Sequence, residues 1–350
     1  MEIGKSTHFS DVLWSELEAA GLVLTAERYN AVRSEITRLG SLERDRIVEL
    51  VGHKTWERTL SYLGMESPES HCIRVLGFGR ALTEFLIAPL EWMDDESESV
   101  LQLGAQANFI VTLYDRLVDL PRSRPWVLPR SLLHLAAHSG NSLWIKSRSR
   151  VGPAPSRMLV QLVADYFRSL DQLPYAKRHE RVHQCVKRAI LQMYDAEGET
   201  IGLTGKSASE STLRRKSALP FVVMGLPKWL SVASISPELY LWHLRWVHRC
   251  GDFFGWIDDA VDLQEDLKFG QPNRVSKMLQ RSDGAEKRTD LAQRIVHQAW
   301  ALNHEWQNRV KNRNRSQQQM QDAFYCCLVS WFGGLRQPGP ESESLPTALL

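Results

Sequence analysis

Residues Cys250 to Asp266 read CGDFFGWIDDAVDLQED. Phe253, Phe254, Trp256, Ile257, Ala260, Val261 and Leu263 recur at helical spacing, which predicts a partly buried helix. Asp258, Asp262 and Asp266 fall at i, i+4 and i+8 on one face of that helix, with Asp259 beside them. Like charges so placed repel by about 0.2–0.5 kcal/mol per pair even in water, and burial deepens the penalty. Such a ridge is either an acidic solvated helix face or a surface that works with a cation.

The helical period extends over the whole chain. Segments open at Phe9, at Thr25 (ending before Gly40) and at Ser41 (running through Val51). Longer apolar helices are expected over 72–90, 97–120, 129–144, 155–173, 180–201, 211–226, 237–267, 290–311 and 316–332. Strand-like alternation is almost absent. The expectation is one all-α domain over 1–335, with 1–70 as extra N-terminal helices and 336–350, RQPGPESESLPTALL, as a flexible tail.

Bulk properties narrow the partners. Of 350 residues, 43% are hydrophobic and 24% charged, an ordinary globular balance, and the formal net charge of +2 makes no case for nucleic acid or an anionic membrane. No apolar run reaches about 18 residues, so no membrane span is expected. Five cysteines without a CxxC pair read as reduced, buried thiols, and the first residues lack a leader's apolar core, so a cytoplasmic location is expected. The 12 tryptophans are accounted for by core packing or, more sharply, by an aromatic-lined cavity.

A second acidic pair, Asp115 and Asp119, ends the apolar segment FIVTLYDRLVD, residues 109–119. By itself it is ordinary helix-end charge. Paired with the first ridge, it describes two apolar helices whose carboxylates can face each other across a cavity. Oxygen-only ligands of this kind suit Mg²⁺, which keeps several waters and binds a few carboxylates together with substrate phosphates.

These elements resemble those of the trans-prenyltransferases. GDFFGWIDDAVD, 251–262, is similar to their second aspartate-rich motif, and TLYDRLVD, 112–119, to the first, with Asp115 and Asp119 at its outer positions. Glu197-Gly198-Glu199 matches the Gly-Glu of a central helix, and Lys216-Ser217-Ala218 resembles a Lys-Thr-Ala element. The likeness covers roughly residues 75–280, in the family's order. It implies the all-α isoprenoid synthase fold, a helical bundle around a central active-site cavity. Three Mg²⁺ would be held around a prenyl diphosphate by Asp115, Asp119, Asp258, Asp259 and Asp262, and a homodimer is implied. Lys216 is the first candidate for a diphosphate contact. Arg214, Arg215, Glu199, Lys268, Arg274, Lys277, Arg122 and Arg124 are further candidates around the substrate.

Three departures shape the expected activity. Arg116 stands where the first motif has its second Asp, and Gly255 replaces a Gln. The region that would hold a second diphosphate, LGFGRAL at 76–82, has a single Arg, Arg80, and no Pro. One anion site implies ionisation followed by intramolecular capture, which is terpene cyclase chemistry. Tyr114, Trp246, Phe254, Trp256, Phe324, Trp331 and Phe332 would then offer π faces to a carbocation. The asparagine-serine-glutamate motif of many cyclases is missing; Asn273 and Ser276 are present, but no matching acid follows. A prenyl diphosphate synthase with a divergent acceptor site is the alternative. A catalytically silent regulatory subunit is another, and Arg116 is the feature that favours it.

Overall fold

The computed structural model describes residues 8–90, 97–120, 152–200, 208–280, 285–310 and 315–334. Among them the fold is all-α, with thirteen helices and no strand. In chain order the helices are α1 (Phe9–Ala19), α2 (Ala26–Val51), α3 (His53–Leu63), α4 (Pro68–Ile87), α5 (Ser97–Asp119), α6 (Ala154–Asp171) and α7 (Glu180–Thr200). They continue with α8 (Glu210–Gly225), α9 (Pro237–Val261), α10 (Leu263–Phe269), α11 (Arg274–Gln280), α12 (Ala285–Arg309) and α13 (Arg315–Trp331). The helix expected at 129–144 and the 336–350 tail lie outside the described residues.

Side-chain caps start several helices. Thr25 accepts from the Arg28 amide, Ser209 from Thr212 and Ser236 from Leu239, each satisfying an N–H that the first turn leaves open. Helix α8 packs against α4, α5, α7 and α9. Around it, α2 and α13 cover α4, α6 lies on α5 with α3 behind it, and α1 and α12 pack on α9. One continuous apolar core runs from Phe9 to Phe332, so the N-terminal helices share the core of the rest.

The tryptophans mostly fill that core. Trp306 stacks on Phe85 at 5.1 Å and donates its indole N–H to the Phe85 carbonyl. Trp229 donates to Nδ1 of buried His243, whose Nε2 meets the Leu86 carbonyl, and burial pushes that imidazole down to about 4. All five cysteines are free. Among the described residues no helix is long and apolar enough to cross a membrane.

Four elements differ from the sequence expectation. Helix α2 runs unbroken through Gly40 and Ser41. A Cβ at Gly40 would meet the Ile73 carbonyl of α4, so this glycine serves a helix crossing and not a helix end. Helix α3 was not expected, although Trp56, Leu60 and Leu63 at i, i+4 and i+7 between Gly52 and Gly64 carry its signal. Helix α11 occupies part of a stretch read as a loop. The expected helix over 237–267 is interrupted at Asp262 (φ −87°, ψ 3°), yet the amides of Asp262 and Asp266 still reach the carbonyls of Asp258 and Asp262 at 2.9 Å.

Gly251 and Gly255, one turn apart on α9, form the groove in which α8 lies. A Cβ at Gly251 would come within 2.7 Å of both Ala218 Cα and the Ser217 carbonyl oxygen. A Cβ at Gly255 would collide with Ser217 and Arg274. The glycine that departs from the resembled motif is therefore required by this crossing. Gly251→Ala is expected to cost about 1–3 kcal/mol, as overpacking of a tight interior does, read as a lower urea midpoint. An unchanged midpoint would show the crossing to be loose.

Candidate active site

The α8–α9 crossing presents Lys216, next to Ser217, at the meeting point of four helices. Its Nζ lies 3.1 Å from Asp115 Oδ1 on α5 and 3.2 Å from Glu197 Oε2 on α7. Asp258, on α9, acts on the same ammonium through space. Burial works against the Lys216 charge, but Asp115, Glu197 and Asp258 outweigh it and hold the group well above the usual lysine value. The acids of α5 and α9 also feel one another: Asp115 raises both Asp258 and Asp262, and Asp119 raises Glu197.

Asp115 and Lys216 keep 38% and 35% of their side-chain surface open, and Asp258 is exposed. Yet loss of solvation by the surrounding protein is the largest influence on Lys216 and on Asp258. These groups are thus partly open to solvent and partly screened by the protein around them. Glu197 is different: only 4% of its side chain is open, and burial pushes its carboxyl up to about 8 against the pull of Lys216. Burial also raises Asp262 to about 8, reinforced by Asp258, Asp266, Glu265 and Asp115.

An aromatic cluster borders the acids. Phe254 stacks on Phe221 at 5.3 Å and meets Phe324 and Trp331, each at 5.2 Å. The Trp331 indole N–H donates to Asp258 Oδ1 at 3.1 Å. The sequence singled out Trp331 for its ring alone. This bond joins residues 73 positions apart and has no local signal.

Several expected site residues are engaged elsewhere. Arg274 is buried and gives Nε to Asp259, Nη1 to Asp252 at 2.8 Å and Nη2 to Ser217 at 3.4 Å, with its guanidinium 4.8 Å over the Trp256 ring. In the ligand-free chain Arg274, expected at the diphosphate, Asp259, expected at the metal, and Trp256, expected at the cation, are thus joined in one network that fastens α11 to α8 and α9. Burial lifts Asp259 to about 6 despite the arginine. Asn273 bonds the Asp259 carbonyl and the Asp266 carboxylate, each at 2.7 Å, and so closes the turn after α10. Asp252, which the sequence did not single out, pairs with both Arg214 and Arg274.

Glu199 pairs with Arg215 at 3.2 Å and accepts from Thr212 at 2.6 Å. The acid beside Lys216 is Glu197, two residues earlier and so on the other side of α7. Tyr114 is buried and stacks on Tyr194 at 3.9 Å, away from the Phe254 cluster. Trp246 packs on Phe85 and Trp242, and Phe332 on Trp14 of α1. Lys268 is exposed over Phe269, and Lys277 donates to the Ala208 carbonyl. Arg116 lies near His71 of α4 and disfavours that imidazole's charge. Arg122 and Arg124 lie outside the described residues. Arg80 is bound by Glu43 at 2.6 Å and by Glu98 at 2.9 Å.

Among the described residues no three His, Cys, Asp or Glu side chains are gathered into a group able to hold a metal ion by themselves. Comparisons with protein-family models, with curated proteins and with solved structures returned no match.

The raised carboxyls have a consequence for stability. Glu197 and Asp262 move from ordinary values of 4.5 and 3.8 up to about 8, so the folded chain holds these protons more tightly than the unfolded one. Their stabilising contribution is full below the ordinary values and is lost as pH rises to about 8. Buried His71 and His243, both pushed down to about 4, act in the opposite sense below the ordinary imidazole value of 6.5, so the effect is read by difference. Relative to Glu197→Gln, whose side chain cannot ionise, the wild-type Tm is expected to fall between about pH 5 and about pH 8. A difference between the two proteins that stays constant over this range would contradict the assignment.

Proposed function

We propose that this chain is a class I terpene cyclase with the isoprenoid synthase fold, which ionises a linear prenyl diphosphate and closes the resulting carbocation on itself. The observation that carries the reading is the gathering of Asp115, Glu197 and Asp258 from three helices around Lys216, beside the Phe254 cluster. Asp115, Glu197 and Asp258 set three carboxyl groups around a single ammonium, with Asp262 close enough to act on Asp258's side of the cluster, and the protons that burial holds on Glu197 and Asp262 are ones a cationic ligand would displace.

The donor set fits Mg²⁺. Its atoms are all oxygens, and this ion uses a few carboxylates plus substrate phosphates and water, so no complete protein cage is needed. Asp115, Asp119, Asp258 and Asp262 are the residues that would hold it. Bound Mg²⁺ would neutralise the diphosphate and make it a competent leaving group.

The chain's own groups supply the rest. Lys216 turns its ammonium from Asp115 and Glu197 toward the departing diphosphate, adding positive charge where negative charge develops. Phe254, Phe221, Phe324 and Trp331 present π faces and no nucleophile, so a carbocation beside them is stabilised and kept from water. Chain elongation would need a second diphosphate site. Arg80, the residue that resemblance offers for it, is already bound by two carboxylates, which supports cyclisation over elongation.

The decisive assay incubates the protein with Mg²⁺ and geranyl, farnesyl, geranylgeranyl or longer diphosphates, each with and without isopentenyl diphosphate. A hydrocarbon or terpene alcohol is expected from one substrate alone. Asp258→Ala and Asp115→Ala are each expected to lower turnover by about 10²–10³-fold or more with the helical circular dichroism unchanged. Product that requires isopentenyl diphosphate would move the assignment to a prenyltransferase. No turnover with any substrate, together with tight binding to an active synthase, would favour the regulatory subunit.

A further inference from the structure

Trp331 is where the last helix meets the acids. It ends α13, donates its indole N–H to Asp258 Oδ1 at 3.1 Å and lays its ring 5.2 Å from Phe254. Asp258 Oδ1 is thereby given a fixed donor, which restricts the rotation of a carboxylate that is otherwise exposed. Partners of this kind, behind a ligating group, typically change metal affinity by 10–100-fold when removed.

The position of Trp331 is itself held from the other end of the sequence. Tyr29 Oη and Ser330 Oγ lie 3.2 Å apart, Arg28 pairs with Asp322, and Phe332 meets the Trp14 ring edge-on at 5.3 Å. Helix α13 is thus tied to α2 at two points along its length and to α1 at its end. Beyond Trp331 the chain turns at once through Gly333 and Gly334, both at positive φ (78° and 88°), with the Gly334 amide reaching back to the Val329 carbonyl at 3.1 Å. The helix end is therefore closed off and anchored on both sides of the tryptophan.

We propose that Trp331 is a positioning residue that orients the Asp258 carboxylate for cation binding, and that helices α1 and α2 hold it in that role. This rests on the proposed reading of Asp258 as a metal ligand. It assigns the N-terminal helices a part in the site that none of their own side chains takes directly, because they act through α13.

The test measures Mg²⁺ binding without turnover, by calorimetric titration of the full-length protein in the presence of inorganic pyrophosphate. Three variants are compared with the wild type. Trp331→Phe keeps a ring and loses the N–H; Trp331→Gln keeps an N–H donor and loses the ring; Asp258→Asn removes the ligand. The expected result is a Mg²⁺ dissociation constant raised about 10-fold or more in Trp331→Phe, and less in Trp331→Gln, although Gln is the more disruptive change to packing and lowers Tm further. A purely structural tryptophan would give the reverse order, with Phe closer to wild type in both affinity and Tm, and that result would overturn the proposal. Wild-type affinity in Trp331→Phe, with binding lost in Asp258→Asn, would overturn it while leaving the metal site standing. A wild-type protein that binds no Mg²⁺ with pyrophosphate would overturn the reading of the site and the inference together.

Discussion

The approach of α8 to α9 over Gly251 and Gly255 governs the rest of the site. Without Cβ atoms at those two positions, Ser217 and Ala218 settle into the α9 groove, and the neighbouring Lys216 is carried to within reach of α5 and α7. Arg274 enters the same groove from α11 and takes up Asp252 and Asp259, the α9 acids that do not face Lys216. A single close crossing thereby sorts the acids of α9 into two groups. One is neutralised by Arg274, and the other includes Asp258, which acts on Lys216.

That sorting explains a charge distribution that would otherwise be costly. Asp115, Glu197 and Asp258 surround one ammonium, Asp258 and Asp115 act in turn on Asp262, and burial raises Glu197 and Asp262 to about 8. A ligand-free chain relieves this by holding protons and by leaning Lys216 on Asp115 and Glu197. A cation arriving with an anionic substrate would relieve it more fully, which is the physical sense in which a crowded acidic ridge can persist on an apolar helix. The aromatic cluster around Phe254 adds an apolar boundary on the Trp331 side.

Much of the architecture was legible because helical periodicity is a local property. The all-α class, the extent of α5 and α7, the start of α9, and the pairing of acids at i and i+4 all follow from spacing along the chain. The misreadings have a common cause. Gly40 looked like a helix end, and Gly255 looked like a defect in a motif, because a glycine's reason lies in the helix that crosses it and not in its neighbours. Arg274 looked available to phosphates because a sequence lists cations without their partners. Asp252, which pairs with it, carries no sign of it.

The sequence by itself determined that this chain forms a helical bundle and that two of its helices carry carboxylates on one face, since both follow from the 3.6-residue repeat. Only the tertiary structure decided which of those carboxylates share Lys216, that Glu197 and not Glu199 is among them, and that Trp331 reaches Asp258. Those outcomes depend on contacts between residues from about twenty to more than a hundred positions apart. Such contacts are set by how closely helices can pack, and no local pattern encodes that.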